Sequence, residues 1–177
     1  MKIVIVRHCQ AEGQESHAPL TEKGKEQAKE LASFLNPYPF DLILSSPFLR
    51  AIDTIKPFAE MKQLNIETDD RLKERILSAQ HLPDWRNLLK RTYKEEHLTF
   101  PGGESTYEAK QRVKSLIKDI QNKTDRSVLL VTHGNLMSLM INLFEPSFGY
   151  EEWALLSNPD VYSVELSNHT VTKLWVS

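Results

Sequence analysis

The chain has 177 residues, a formal net charge of −2 with 26% charged side chains, and one cysteine, so it carries no overall basic field for nucleic acid, no disulfide framework and no zinc-site spacing. Met1 leads straight into an apolar stretch with no basic-then-apolar leader, and no uncharged apolar run reaches the ~18 residues a membrane span needs. These features fit one compact domain over residues 1–177 in a soluble cytoplasmic protein, with roughly 70% of its unfolded surface buried and no nucleic-acid or membrane partner.

Lys2 to Gln10 reads Lys-Ile-Val-Ile-Val-Arg-His-Cys-Gln, a β-branched run that predicts a buried strand ending in Arg7 and His8. The carboxyl ends of such strands face the ligand crevice of an open α/β sheet, which makes both residues site candidates, although an Arg-His pair by itself usually just ends a strand in solvent. Ala11 to Pro19 is polar and predicts a loop. Thr21 caps a helix from Glu22 to about Leu35, with Ala28, Leu31, Ala32 and Leu35 on one face and Asn36-Pro37 as its stop.

Leu42-Ile43-Leu44 predicts a second buried strand within Asp41 to Ser45. Ser46 as N-cap and Pro47 at the first helical position then put Arg50 in the first turn of a helix running toward Lys56, with a kink at Pro57. A guanidinium beside free backbone N–H groups favours an anion. Ile66 to Glu74 predicts an extended segment, and Leu82 to about Glu96 an amphipathic helix with Trp85, Leu88 and Leu89 inward, ended by Pro101-Gly102-Gly103. Residues 75–102 thus form a short helical excursion over the site.

Ser105 and Glu108 have capping-box spacing and open a helix through Val113, Leu116, Ile117 and Ile120. Ser127 to Thr132 predicts a third buried strand, which delivers His133-Gly134, and an apolar helix from Asn135 or Ser138 passes through Leu136, Leu139, Met140 and Leu143. Val161 to Leu166 and Val171 to Val176 predict a terminal antiparallel pair. The alternation predicts a three-layer α/β/α sandwich whose central sheet is mostly parallel with an antiparallel strand near the C-terminus.

Strand and segment ends then offer Arg7, His8, Arg50, Glu74 and His133 to one crevice. Guanidinium forks match phosphate oxygens, neutral histidine is a nitrogen nucleophile, and a carboxyl group can protonate a leaving oxygen, so the set suits phosphoryl transfer through a covalent intermediate.

Arg7-His8-Cys9-Gln10-Ala11, Pro19-Leu20-Thr21-Glu22-Lys23-Gly24 with Gln27-Ala28, Ser45-Ser46-Pro47 leading to Arg50-Ala51, Leu72-Lys73-Glu74, Gly103-Glu104-Ser105 and Val131-Thr132-His133-Gly134 resemble, in order and spacing, the blocks of the histidine phosphatase superfamily, which includes the cofactor-dependent phosphoglycerate mutases. The resemblance covers nearly the whole chain. It implies that His8 attacks phosphorus, that Arg7, Arg50 and His133 bind the phosphoryl oxygens, and that Glu74 protonates the leaving group and then activates water, with no metal and no cofactor. Two nearby guanidinium groups should also disfavour the imidazolium form of His8.

Three positions depart from the family pattern: Cys9 replaces a glycine, Ala11 a threonine whose hydroxyl commonly helps bind phosphate, and Gln14 stands where an asparagine often reaches the phosphate. A lost hydroxyl donor could cost ~1.5 to 3 kcal/mol of binding, with Gln14, Gln10 or Ser16 as the compensating candidates. Other residues read as structural. Glu104 favours the amino end of the Ser105 helix, Cys9 is a small buried residue, and Arg86, Lys90 and Lys94 form a solvated stripe that could also select an anionic substrate. His17, His81, His97 and His169 lack metal-ligand spacing.

The expected activity is a metal-independent phosphatase acting on a small phosphorylated substrate, with phosphoproteins open because the excursion is short. A mutase is the near alternative, disfavoured because the chain ends on its last predicted strand with no tail to close the site. A non-catalytic phosphate- or phosphoprotein-binding module is the alternative of a different class. These residues leave the oligomeric state open.

Overall fold

A computed structural model describes residues 1–123 and 127–176. Six strands, β1 (Lys2–Arg7), β2 (Leu42–Ser45), β3 (Ile66–Thr68), β4 (Ser127–Thr132), β5 (Asp160–Glu165) and β6 (Thr170–Lys173), form one sheet in the order β3-β2-β4-β1-β5-β6. The β3, β2, β4 and β1 pairings are parallel, whereas β5 runs antiparallel to β1 and β6 antiparallel to β5. The central strands β1 and β4 are apolar between their polar end residues because both sheet faces are covered. Ile3, Ile5, Val128 and Leu130 pack with α4 (Thr106–Lys123) and α5 (Gly134–Asn142); Val4, Val6, Leu129 and Val131 pack with α1 (Glu22–Leu35) and α2 (Leu49–Lys62). That is the expected three-layer arrangement.

Register sets the site. Arg7 pairs with Thr132 and Ser45 with Val131, and the ladder extends one step through His8 N–H to the Thr132 carbonyl (3.0 Å) and Ser46 N–H to the Val131 carbonyl (2.9 Å). His8, Ser46 and His133 therefore leave three neighbouring parallel strands at one level.

Local signals hold where the partner is near in sequence. Thr21 Oγ1 accepts from Gly24 N–H (2.9 Å), and Ser105 and Glu108 exchange the two capping-box bonds, N–H to Oε2 at 2.8 Å and N–H to Oγ at 3.0 Å. Gly24 is required here, since a Cβ would lie 2.0 Å from the Gln10 carbonyl oxygen.

Other boundaries move. Ser46 does not cap α2; its Oγ accepts from Phe48 N–H at 3.3 Å, and the helix starts at Leu49. Pro57 does not end α2, which continues to Lys62; Pro57 and Asp53, whose carbonyl it cannot serve, are both only partly buried. The extended segment stops at Thr68, because the Asp69 carboxylate accepts from Arg71 N–H (2.8 Å) and turns the chain into a single 3₁₀ turn, Asp70–Leu72. The helix expected from Leu82 to Glu96 is only α3 (Trp85–Thr92); it buries Leu89 and Thr92 while Trp85 stays 40% exposed. β6 ends at Lys173, and a short helix, α6 (Tyr150–Ala154), lies in a stretch with no such expectation. Among the described residues no helix is long and apolar enough to cross a membrane.

Candidate active site

His8 is 7% exposed, and its Nδ1 lies 2.7 Å from the Cys9 carbonyl oxygen. A carbonyl only accepts, so Nδ1 carries the proton and Nε2 keeps its lone pair. That lone pair faces Arg50, whose Nε–H donates to it at 3.2 Å. Burial, followed by the Arg50 and Arg7 charges, pulls the His8 pKa down to about 4 against the opposing pull of the Cys9 carbonyl. The neutral form expected from the sequence is thus favoured first by desolvation, with the neighbouring cations as the smaller cause.

Arg50 is held for this contact by Nη1 bonds to the Gln14 and Glu15 carbonyls (3.1 and 2.8 Å), and its guanidinium lies 5.0 Å from the Phe48 ring centre. Gln14 is thereby tied to Arg50 through its backbone, while the residue also lines the adjoining cavity. Arg7 Nη1 donates to the carbonyls of Leu156 (2.8 Å) and Ser157 (3.3 Å), and its buried Nε has no protein partner. Gly134 lets that guanidinium lie close, for a Cβ there would come within 3.0 Å of Arg7 Nε and Cζ.

His133 is 1% exposed; its ring centre is 5.1 Å from that of His8. Its Nε2 hydrogen-bonds with Ser46 Oγ at 2.8 Å and its Nδ1 is buried without a partner. Burial first, then His8 and Arg50, holds its pKa well below the usual histidine range.

Glu74 lies beyond the 3₁₀ turn, yet its carboxylate sits on the amino end of α5. Oε1 accepts from Leu136 N–H and Arg75 N–H (both 2.9 Å) and Oε2 from Asn135 N–H (3.0 Å). The Asn135 and Leu136 N–H groups are orphan donors of the α5 amino terminus, so Glu74 both caps that helix and is oriented by it. The field of Glu74 raises the pKa of Arg7 and Arg50 against the larger lowering effect of their burial. Arg7, Gln14, Glu74, Arg75, Asn135 and Trp153 line a cavity of about 410 Å³. All six residues singled out from the sequence therefore come to one end of the sheet.

Several contributors were missed. Ser46, expected as a helix cap, instead holds His133 Nε2. Asn158 donates from Nδ2 to the His8 carbonyl (2.7 Å), and Gln27 bridges the Asn158 carbonyl (2.6 Å) and Gln10 N–H (3.0 Å). Arg112 donates to the carbonyls of Arg71 and Lys73 (the latter at 3.0 Å) and pairs with Glu104 at 2.6 Å, holding the segment before Glu74. Glu104 is structural as expected, although through Arg112. No local signal marks Asn158 or Arg112; Ser46 and Gln27 stand in quoted blocks and could have been found there. Cys9 is fully buried, donates its N–H to Thr54 Oγ1 (2.8 Å), and has its thiol pKa raised to about 12 by burial. Of the basic stripe, Arg86 lines a neighbouring cavity while Lys90 pairs with Glu151. Among the described residues no cluster of three or more His, Cys, Asp or Glu side chains is arranged to hold a metal ion.

A model of the histidine phosphatase superfamily (branch 1) matches residues 3–176. Phosphoserine phosphatase 1 of Hydrogenobacter thermophilus is 30% identical over 149 residues, covering 75% of this chain and 71% of the relative. A 2,3-bisphosphoglycerate-dependent phosphoglycerate mutase of Cytophaga hutchinsonii is 33% identical over 169 residues, covering 80% and 76%. Among solved structures, a mycobacterial glucosyl-3-phosphoglycerate phosphatase in complex with inorganic phosphate superposes with a TM-score of 0.75 at 25% identity, over 97% of this chain and 93% of that one. From its sheet order to its paired strand-end histidines, the chain belongs to the histidine phosphatase superfamily.

Proposed function

We propose that the chain is a metal-independent phosphoric monoester hydrolase that works through a phosphohistidine at His8. The observation that carries this reading is the state of the His8 ring: Nδ1–H committed to the Cys9 carbonyl, Nε2 unprotonated and facing Arg50. An entering phosphate takes the Arg50 Nε–H donor from His8, which frees the lone pair to attack. The Nε2–P bond forms as the ester P–O bond breaks, and the proton that a substrate monoanion brings to the Glu74 carboxylate passes to the departing oxygen. In the second step Glu74 takes a proton from water, the water oxygen bonds phosphorus, and the Nε2–P bond breaks.

Arg7, Arg50 and His133 hold the phosphoryl oxygens, where fixed charge and placement do most of the work of phosphoryl transfer. The Gln14 side chain stands in for the hydroxyl that Ala11 lacks. Residues 1–177 act as one domain, with residues 75–102 as the excursion bordering the cavity. The substrate is a small phosphorylated molecule, as the relatives' names suggest for those proteins, and the single buried thiol suits a cytoplasmic location.

The test is to incubate the protein with a labelled phosphomonoester in the presence of chelator and quench it. Acid-labile, alkali-stable label on the wild type and none on His8→Asn is the expected result; a wild type that turns over without label overturns the phosphohistidine. The Cytophaga relative favours a second reading, a mutase. Phosphoglycerate as substrate separates the two: free phosphate is expected, and isomer without free phosphate moves the reading to a mutase.

A further inference from the structure

Trp85 opens α3 and Trp153 lies in α6, and their rings meet edge to face with centroids 6.2 Å apart at 83°. Trp153 is braced by Tyr150, at 5.3 Å and 38°, and packs against the core on the α4 and α5 side. Trp85 has no such support. It is 40% exposed at the head of a helix that buries only Leu89 and Thr92, and the Arg86 guanidinium lies 5.3 Å from its ring centre. An indole whose task was only to fix α3 on α6 would be buried in that contact.

Both indoles instead line two cavities. One, of about 410 Å³, also contains Arg7 and Glu74; the other, of about 360 Å³, also contains Arg7, Arg86 and Tyr150. Arg7 is common to both, so a phosphate held there has an indole beside it whichever cavity its ester group enters. Flat aromatic surface next to a fixed cation suits a ligand with an anionic end and a planar apolar end.

We infer that Trp85 and Trp153 form a stacking subsite for the leaving group, so that the favoured substrates are phosphomonoesters bearing a planar aromatic ring a short linker away from the ester oxygen. The turnover side of this inference rests on the phosphatase reading above. The subsite itself does not.

The test compares 2-phenylethyl phosphate with 2-cyclohexylethyl phosphate. Both alcohols leave with nearly equal ease because the ring is two carbons from the oxygen, and the cyclohexyl ring is apolar but puckered and without a π face. In parallel, calorimetry measures binding of 3-phenylpropylphosphonate and 3-cyclohexylpropylphosphonate, which cannot be hydrolysed. The expected phenyl-to-cyclohexyl ratio is about tenfold in kcat/KM and in affinity. In Trp85→Leu and in Trp153→Leu it falls to about twofold or less; taken within one preparation, the ratio is independent of the fraction folded.

A phenyl preference in binding without turnover keeps the subsite and overturns the phosphatase reading. Turnover with no phenyl preference, or with the cyclohexyl compound preferred, overturns the subsite and leaves the phosphatase reading standing. Absence of both binding and turnover overturns both.

Discussion

The strand-end group and the helical wall beside it are built in opposite ways. His8, Ser46 and His133 each follow a laddered parallel strand, are 7% exposed or less, and bond to one another, to Arg50 or to nearby main chain, with His133 Nδ1 left unpartnered. The wall, from α3 and α6, buries two residues of α3 and none of α6, and its Lys90–Glu151 pair is solvated on both sides. In the proposed mechanism, His8, which must meet phosphorus closely, is carried by backbone that cannot move without breaking the sheet. The proposed stacking side chains are carried by helices with few ties, where change is cheap. Glu74 spans the two: the chain places it at the root of the excursion, while its hydrogen bonds place it on α5.

The largest effect that separates the regions is expected from His8→Ala. Phosphate release should fall by ~10⁴-fold or more with the fold intact by circular dichroism, as loss of the proposed nucleophile requires. Residual activity within about tenfold of wild type would break the division, by putting the chemistry elsewhere.

Glu74→Gln should lower kcat by about 100-fold, as for loss of a general acid. If Glu74 also belongs to the strand-end group structurally, the same change should cost about 1 to 3 kcal/mol in urea unfolding, because one carboxylate accepts three main-chain bonds. A loss of rate with no loss of stability would return Glu74 to the wall.

Acid should expose the buried histidines. With the His8 pKa lowered to about 4, the folded chain binds fewer protons than the unfolded chain between the ordinary histidine pKa of 6.5 and about 4. Stability therefore falls as pH falls through that window, with roughly 3 kcal/mol from His8 alone by its lower end. His8→Asn should flatten the dependence in thermal melts. For activity the sign is favourable: kcat/KM should hold through pH 6.5 and fall only toward about 4. The smallest effect is expected from Lys90→Ala, which should leave Tm and the rate with a small phosphomonoester within about twofold of unchanged, since an exposed ion pair contributes little.

The legible parts of this molecule are those whose cause is local. Ile3 to Val6 and Val128 to Val131 read as buried strands because both of their faces are covered, and Thr21, Ser105 and Glu108 read as caps because their partners lie three residues away. Helix extent in the excursion was less legible. Trp85, Leu88 and Leu89 have the spacing of an apolar face, but only Leu89 is buried, because α3 rests on a cavity edge and not on the sheet.

By itself, then, the sequence determined the strands, most caps and which candidate site residues stand at strand ends, because periodicity and capping act over a few residues. The strand order β3-β2-β4-β1-β5-β6 decided the rest. It puts β4 beside β1, so that His133 meets His8 and Ser46; it returns the chain through Asn158 to the His8 carbonyl; and it buries His8 deeply enough that desolvation, more than neighbouring charge, keeps its nitrogen unprotonated. Those contacts join residues 87 to 150 positions apart, and no local pattern encodes which distant segment a strand end will face.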